Sequence, residues 1–310
     1  MTKVLVAGTF DIIHPGHLSL LRQAKKRGDS LMVVIARDKT VSQVKKYLSF
    51  FNEKERFKNL RRLKITNKVV LGGHGDKLKI VKKLNPDIIC LGYDQKVSIP
   101  NLKKQLKKLD LKPKIVRLKP FNPNKFKTGL LHKNSLIAIK NIDPTIITEP
   151  IYATKNNFLK KPLYQNRIIL TRKNIAQKLK KVQDDLRHKG LSLKIWDCYR
   201  PLSVQKKMWK FMPDERYIGN PVKKPFHTRA AAVDCTLVDK KGKELIMPTK
   251  FDEFSPRAHR NYPKHSKTAK KNMLILEKAM VKHGFIPLPT EWWHFSDRNW
   301  QKYPVLDIPI

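Results

Sequence analysis

The chain is short of acidic residues and of cysteine, and it has no long apolar run. Only 25 Asp and Glu stand against 67 Lys and Arg, leaving a formal net charge of +42. A surface this basic attracts phosphate backbones through counterion release, so non-specific nucleic-acid adhesion at low salt is expected whatever the function. No zinc-finger, helix-turn-helix or RNA-binding signature accompanies the charge. The lysines are scattered through both halves of the chain, and a lysine-biased composition is the simpler account. The three cysteines, Cys90, Cys198 and Cys235, are odd in number and lack C-x-x-C spacing; Cys90 and Cys235 lie in apolar runs and read as packed thiols. No apolar stretch reaches membrane-spanning length, and the first strand begins at Lys3 without a leader, so no membrane span is expected and a reducing cytoplasm fits best.

The length of 310 residues suffices for two domains, each with its own core. The stretch from Leu118 to Asn134, LKPFNPNKFKTGLLHKN, holds two prolines, several asparagines and lysines and little apolar periodicity, which places a boundary near residue 133. Domains of 1–133 and 134–310 follow. In the first, apolar runs at Val4 to Val6, Leu31 to Ile35, Lys68 to Leu71, Ile88 to Leu91 and Ile115 to Val116 alternate with lysine-rich helical stretches, the rhythm of an α/β doubly wound parallel sheet. In the second, helices are predicted over Asn174 to Lys189 and Ala269 to His283, with strands at Leu193 to Trp196 and Ala231 to Val238, a mixed α+β pattern. No internal repeat is evident.

Chemistry concentrates near the C-terminal end: His227 and Asp234 in FHTRAAAVDCTL, then Glu291 and His294 in TEWWHF. Two imidazoles and one carboxylate hold a zinc ion while leaving a fourth position for water, as a catalytic site requires. They also leave the metal a net positive charge with which to acidify that water and polarise a carbonyl. Glu291 is left over as a base. Ten histidines place a few near acids by composition alone, so His227 and Asp234 carry little by themselves; Glu291 and His294 change the balance.

These residues resemble the zinc D-alanyl-D-alanine dipeptidases of the vancomycin-resistance type. That family reads S-x-H-x-x-G-x-A-x-D and E-x-W-H, preceded by Y-A-T-x-x-N-F and W-D-G-Y-R-P. Here the counterparts are PFHTRAAAVD, EWWH, YATKNNF (Tyr152 to Phe158) and WDCYRP (Trp196 to Pro201), in family order. The resemblance implies that His227, Asp234 and His294 bind zinc, that Glu291 is the catalytic base, and that Arg200 steadies the developing oxyanion. It implies further that Asp252 receives the substrate ammonium, with Tyr152 beside it. Three positions depart from the pattern. Pro225 replaces a serine, and Ala230 and Cys198 replace glycines that commonly supply positive φ or close backbone approach, so a shifted loop or a narrowed pocket is expected there.

A second motif opens the chain, KVLVAGTFDIIHPGH. Val4 to Val6 reads as a buried strand, Gly8-Thr9 as a turn and His17 onward as an amphipathic helix, an order that sets a helix N-terminus where phosphate can sit. His14 and His17, three apart, can face one ligand. G-T-F-D-x-x-H-x-G-H closely resembles the signature of the cytidylyltransferase-like nucleotidyltransferases, a group that includes glycerol-3-phosphate cytidylyltransferase and archaeal FAD synthetase. The likeness continues through EKERF (Glu53 to Phe57), NPDIICLGYDQ (Asn85 to Gln95) and a shortened KFKTGLL (Lys125 to Leu131). It implies a nucleoside triphosphate bound with Mg2+, CTP first and ATP second, by Gly8, Thr9, Phe10, Asp11, His14, His17 and Asp94, with His14 and His17 acting on the phosphates.

The expected protein is therefore a cytoplasmic two-domain enzyme with small-molecule substrates: a dipeptide, and a nucleoside triphosphate with a phosphorylated acceptor. The rival within enzymes is a zinc peptidase for another peptidoglycan fragment, carrying a non-catalytic nucleotide-binding domain. The rival outside them is a basic nucleic-acid-associated protein with degenerate enzyme domains.

Overall fold

The computed structural model describes residues 1–45, 48–73, 75, 77–223 and 225–310. The chain divides into two units, Met1–Thr128 and Gly129–Ile310. The division falls at the start of a short helix, Thr128–Lys133, at whose other end the sequence boundary was drawn.

In the first unit, strands β1 (Lys3–Gly8), β2 (Ser30–Ile35), β3 (Lys68–Leu71), β4 (Ile88–Leu91) and β5 (Lys114–Arg117) alternate with helices α1 (Pro15–Lys25), α2 (Asp38–Lys45), α3 (Glu53–Arg62), α4 (Lys79–Leu84) and α5 (Ile99–Lys107); α6 is Thr128–Lys133. All four pairings are parallel, in the order β3-β2-β1-β4-β5. The unbroken apolar runs of β1 and β2 follow from burial on both faces. On one side Val4, Val6, Leu31, Val33 and Ile35 pack with Leu21 and Ala24 of α1 and Leu60 of α3. On the other, Leu5, Met32, Val34, Ile89 and Leu91 pack with Leu84 of α4 and Leu106 of α5. The strand order reverses between β1 and β4, so the loop after β1 opens at the crevice where such sheets bind ligands.

The second unit is α+β. Its strands are β6 (Leu136–Ala138), β7 (Ile147–Thr148), β8 (Leu170–Arg172), β9 (Ser192–Asp197), β10 (Ala232–Val238), β11 (Phe285–Pro287) and β12 (His294–Asp297), and its helices are α7 (Lys173–Arg187), α8 (Leu202–Phe211) and α9 (Lys267–Lys282). β6 and β8 form a small ribbon, and the main sheet runs β11-β12-β10-β9-β7. Helices α7 and α9 bury their apolar faces (Ile175, Leu179, Val182 and Leu186; Met273, Leu276 and Met280) with Val233, Cys235 and Leu237 of β10. All three cysteines are buried and free. Among the described residues no helix is long and apolar enough to cross a membrane.

One fully buried cation ties the first unit together. The Arg56 guanidinium donates to the carbonyls of Phe51, Thr9 and Ala36 and to Asp38, so α3 holds the ends of β1 and β2. Removing it leaves three inward carbonyls and a carboxylate without their donor. Arg56→Met is expected to lower the stability of this unit by about 3–5 kcal/mol, read from urea unfolding; a loss below about 1 kcal/mol, an ordinary surface effect, would show the guanidinium to be dispensable.

Candidate functional site

Sheet register brings the C-terminal residues together. Asp234 on β10 lies directly across from His294 on β12 and from Asp197 on β9, so three neighbouring strands present three polar side chains abreast. His227 arrives from a 3-10 turn, Phe226–Arg229, just before β10. His227 Nε2 is 3.2 Å from Asp234 Oδ2, His294 Nδ1 is 3.0 Å from Asp234 Oδ1, and the two ring nitrogens are 3.3 Å apart. Donors at about 2 Å from a tetrahedral zinc ion are separated by about 3.3 Å, so the donor set fits that ion. Among the described residues this is the one group of three with metal-ligating atoms so close. His227 Nδ1 donates to the Cys198 carbonyl at 2.7 Å, which turns Nε2 toward Asp234 and His294.

Glu291 is buried beside this group, 3.8 Å from His294 Nδ1. Burial, with the carboxylates of Asp234 and Asp252 nearby, pushes its carboxyl well above the usual range; a bound cation opposes that shift. Arg200 is buried rather than a surface ion pair. Its Nε and Nη2 meet Asp197 Oδ2 at 3.0 and 2.8 Å, Nη1 donates to Gln205, Nη2 is 3.7 Å from Asp234, and the guanidinium lies over the Tyr152 ring. Asp197 also accepts from Tyr164 Oη at 2.9 Å. Tyr152 is more than packing, because its hydroxyl donates to both Asp252 oxygens at 2.9 and 3.1 Å. Burial, reinforced by Asp234 and opposed by the Tyr152 hydrogen bond, pushes Asp252 up to about 8.

The departures from the motif resolve differently. Ala230 keeps the left-handed conformation a glycine would favour, with φ 55°, at a strain of about 1–2 kcal/mol for an L-residue. Cys198 has no positive φ, and its thiol packs in the hydrophobic core among the residues beneath the sheet. Pro225 still caps the turn through its carbonyl, which accepts from the amide and hydroxyl of Thr228.

In the first unit, His14 is the N-cap of α1 and its Nδ1 accepts from the His17 amide. The two rings stack 3.9 Å apart. Burial lowers both, His14 to about 4 and His17 well below its usual value, so both are neutral at pH 7 until an anion approaches. A Cβ at Gly16, between them, would stand 2.9 Å from the Phe126 carbonyl, which explains the glycine. Phe10 has φ 49° and packs beside His17. Gly8 ends β1, and Thr9 offers its carbonyl to Arg56. Asp11 does not face this crevice freely: its two oxygens accept from the amides of Phe50 and Phe51, both at 2.9 Å, which makes it a loop anchor. Asp94 is half exposed and pairs with Lys127 of the shortened KFKTGLL segment, while Thr128 donates to the Ile12 carbonyl.

The fold and these two sites define a fusion of a nucleotidyltransferase-like unit with a metallopeptidase-like unit. The chain belongs to the D-ala-D-ala dipeptidase family, whose sequence profile matches residues 132–305. It is 34% identical over 171 residues to the D-alanyl-D-alanine dipeptidase of Escherichia coli (strain K12), covering 55% of this chain and 89% of that protein. The N-terminal part is 40% identical over 133 residues to the FAD synthase of Thermoplasma acidophilum, covering 43% of this chain and 93% of that protein. It is also 44% identical over 121 residues to the FAD synthase of Aciduliprofundum boonei, covering 39% and 80%.

The motif roles do not include Asp197, Tyr164 and Gln205, which hold Arg200, or Lys45 and Lys127, which lie close enough to Asp94 to feel its charge. Asp197 sits inside WDCYRP and Lys127 inside KFKTGLL, so the motifs held the signal; Tyr164 and Gln205 gave none.

Asp252 makes stability depend on pH. Folded, it keeps its proton to about 8; unfolded, it releases it near 4. Across that window the unfolded chain binds fewer protons, so stability falls as pH rises. Chelator-treated protein is expected to be less stable to urea at pH 8 than at pH 5, and Asp252→Asn is expected to flatten the fall. An unchanged slope in the variant would count against the buried, protonated state.

Proposed function

We propose that the chain is a bifunctional enzyme whose domains, 1–133 and 134–310, transfer a nucleotidyl group and hydrolyse D-Ala-D-Ala or a closely related dipeptide. The observation that carries the peptidase half is the approach of His227 Nε2, Asp234 and His294 Nδ1 to within 3.0–3.3 Å of one another, beside Glu291, Arg200 and Asp252. These three residues would hold zinc, and when bound the ion supplies a Lewis acid that acidifies water and polarises the scissile carbonyl. Glu291 takes the proton of the attacking water and passes it to the departing amine. Arg200, held by Asp197, faces the charge that develops on the carbonyl oxygen. Asp252, backed by Tyr152, receives the substrate ammonium, which draws its carboxyl into the ionised form.

In the first domain, Gly8, Thr9, His14 and His17 form the phosphate site, Asp94 and Lys127 flank it, and Phe10 and Asp11 shape the loop. The FAD synthase relatives support ATP, with magnesium, over CTP as nucleotide, and a flavin phosphate as acceptor. Both imidazoles are neutral when the site is free, so a polyphosphate is expected to protonate them as it binds.

Glu291→Gln removes the proton acceptor and keeps the shape. Zinc is expected to stay bound while kcat on D-Ala-D-Ala falls about 100- to 10,000-fold; were Glu291 only to orient His294, zinc affinity would drop about 10- to 100-fold instead. Metal content and turnover on one preparation separate the two. For the first domain, calorimetry with ATP and CTP is the direct measurement. His17→Ala is expected to reduce turnover more than affinity, and no binding of either nucleotide at millimolar concentration would sink the nucleotidyltransferase half.

A further inference from the structure

The turn that carries both Glu291 and His294 is clamped by a residue outside every motif. Between β11 and β12 the chain folds back on few bonds of its own: Leu288 N donates to the His294 carbonyl at 3.1 Å, and the amides of Glu291 and His294 make long contacts of 3.4 and 3.3 Å. Such a turn does not fix two side chains by itself. The Arg260 guanidinium fills it. Nε donates to the Leu288 carbonyl at 2.9 Å, and Nη2 donates to the carbonyls of Trp292 at 2.8 Å and His294 at 3.2 Å. Nη1 donates to Glu277 of α9 at 2.8 Å, and the plane lies 4.5 Å from the centre of the Phe295 ring. The side chain is only 10% exposed, so losing the guanidinium leaves these carbonyls facing a buried gap.

Arg260 also joins this turn to the segment that carries Asp252. Its own amide donates to the Pro289 carbonyl at 2.9 Å, and the Trp292 amide donates to the Ala258 carbonyl at 3.1 Å. The segment with the ammonium-binding acid and the turn with the base and a metal ligand are thus laced together at one residue. A planar fork of donors reaches three carbonyls on different sides of the turn, and a lysine ammonium, a point charge, cannot.

We propose that Arg260 is a positioning residue of the peptidase site: by holding the carbonyls of Leu288, Trp292 and His294 against Glu277, it sets Glu291 and His294 in register with Asp252. This rests on the peptidase reading above. Arg260 touches no reacting atom and acts only through the turn.

The test uses the full chain with Arg260→Lys and Arg260→Ala, assayed well below each variant's melting temperature. Zinc affinity by chelator competition is expected to weaken about 10- to 100-fold, as for other residues that brace a metal ligand. The kcat on D-Ala-D-Ala is expected to fall by a similar factor with KM within a few-fold, and millimolar guanidinium is expected to restore part of the kcat of Arg260→Ala where sodium chloride does not. Variants that melt earlier yet keep wild-type zinc affinity and kcat would overturn the proposal, since a purely structural brace predicts that result. Should Arg260→Ala fail to fold, Glu277→Ala keeps the guanidinium and removes its anchor; a several-fold loss of kcat at unchanged KM supports the clamp, and unchanged kcat overturns it. Wild-type protein that binds zinc but leaves D-Ala-D-Ala intact would overturn the dipeptidase reading alone, and zinc affinity of the variants would still judge Arg260.

Discussion

The peptidase unit depends on the register of one strand. β10 is buried along its whole length, with Val233, Cys235 and Leu237 turned into the helical core. The opposite face of the pleat carries Asp234, set between His294 and Asp197 on the neighbouring strands. A slip of one residue would send the carboxylate into the core under α7 and α9 and a valine into the ligand cluster. Core packing and the placement of this cluster are therefore a single constraint, and the energy of burying an apolar face also enforces the candidate metal site. The irregularity in pairing between Asp234 and Cys235 falls at the same point, where a local twist re-aims a side chain.

The first unit solves its placement problem with loops instead. The strand order reverses beside β1, so the loop from Thr9 to His14 opens where no crossover helix covers it. That loop is held from two directions, by Arg56 on the Thr9 carbonyl and by Asp11 on the amides of Phe50 and Phe51. Both anchors are buried polar groups that bond mainly to backbone, with Asp38 a side-chain partner of Arg56, and they leave His14 and His17 to stack at the helix start.

Long periodic segments were legible in the sequence. The five strands of the first unit, helices α7 and α9, and strands β9 and β10 lie where apolar period and turn residues put them. The strands that escaped, β6, β7, β8, β11 and β12, are two to four residues long, too short for any period to register, and the ten-residue helix α8 escaped as well. At the site, His227, Asp234, Glu291 and His294 were readable because their spacing is local. Tyr164 and Arg260 were not, because their roles come from contacts across the fold: Tyr164 reaches Asp197 from 33 residues away and Arg260 reaches Trp292 from 32; Gln205 meets Arg200 from five residues away but lies outside the motifs. Ala230 was half legible. The motif showed that a left-handed residue belongs there, and the chain keeps that conformation without the glycine.

The charges of the peptidase site do not close among its own residues. In a chain of net charge +42, four carboxylates, Asp197, Asp234, Asp252 and Glu291, converge on Arg200. Arg260 lies nearby but is matched by Glu277. Three negative charges are left over, and the carboxyls of the part-buried Asp252 and the buried Glu291 respond by holding protons. On the reading proposed above, a divalent cation at His227, Asp234 and His294 would offset two of these charges and a substrate ammonium at Asp252 the third, while the dipeptide's own carboxylate would have to be matched elsewhere. On that reading, burial keeps the Glu291 carboxyl protonated until a cation binds beside it, and ligand binding would free the carboxylate to act as a base.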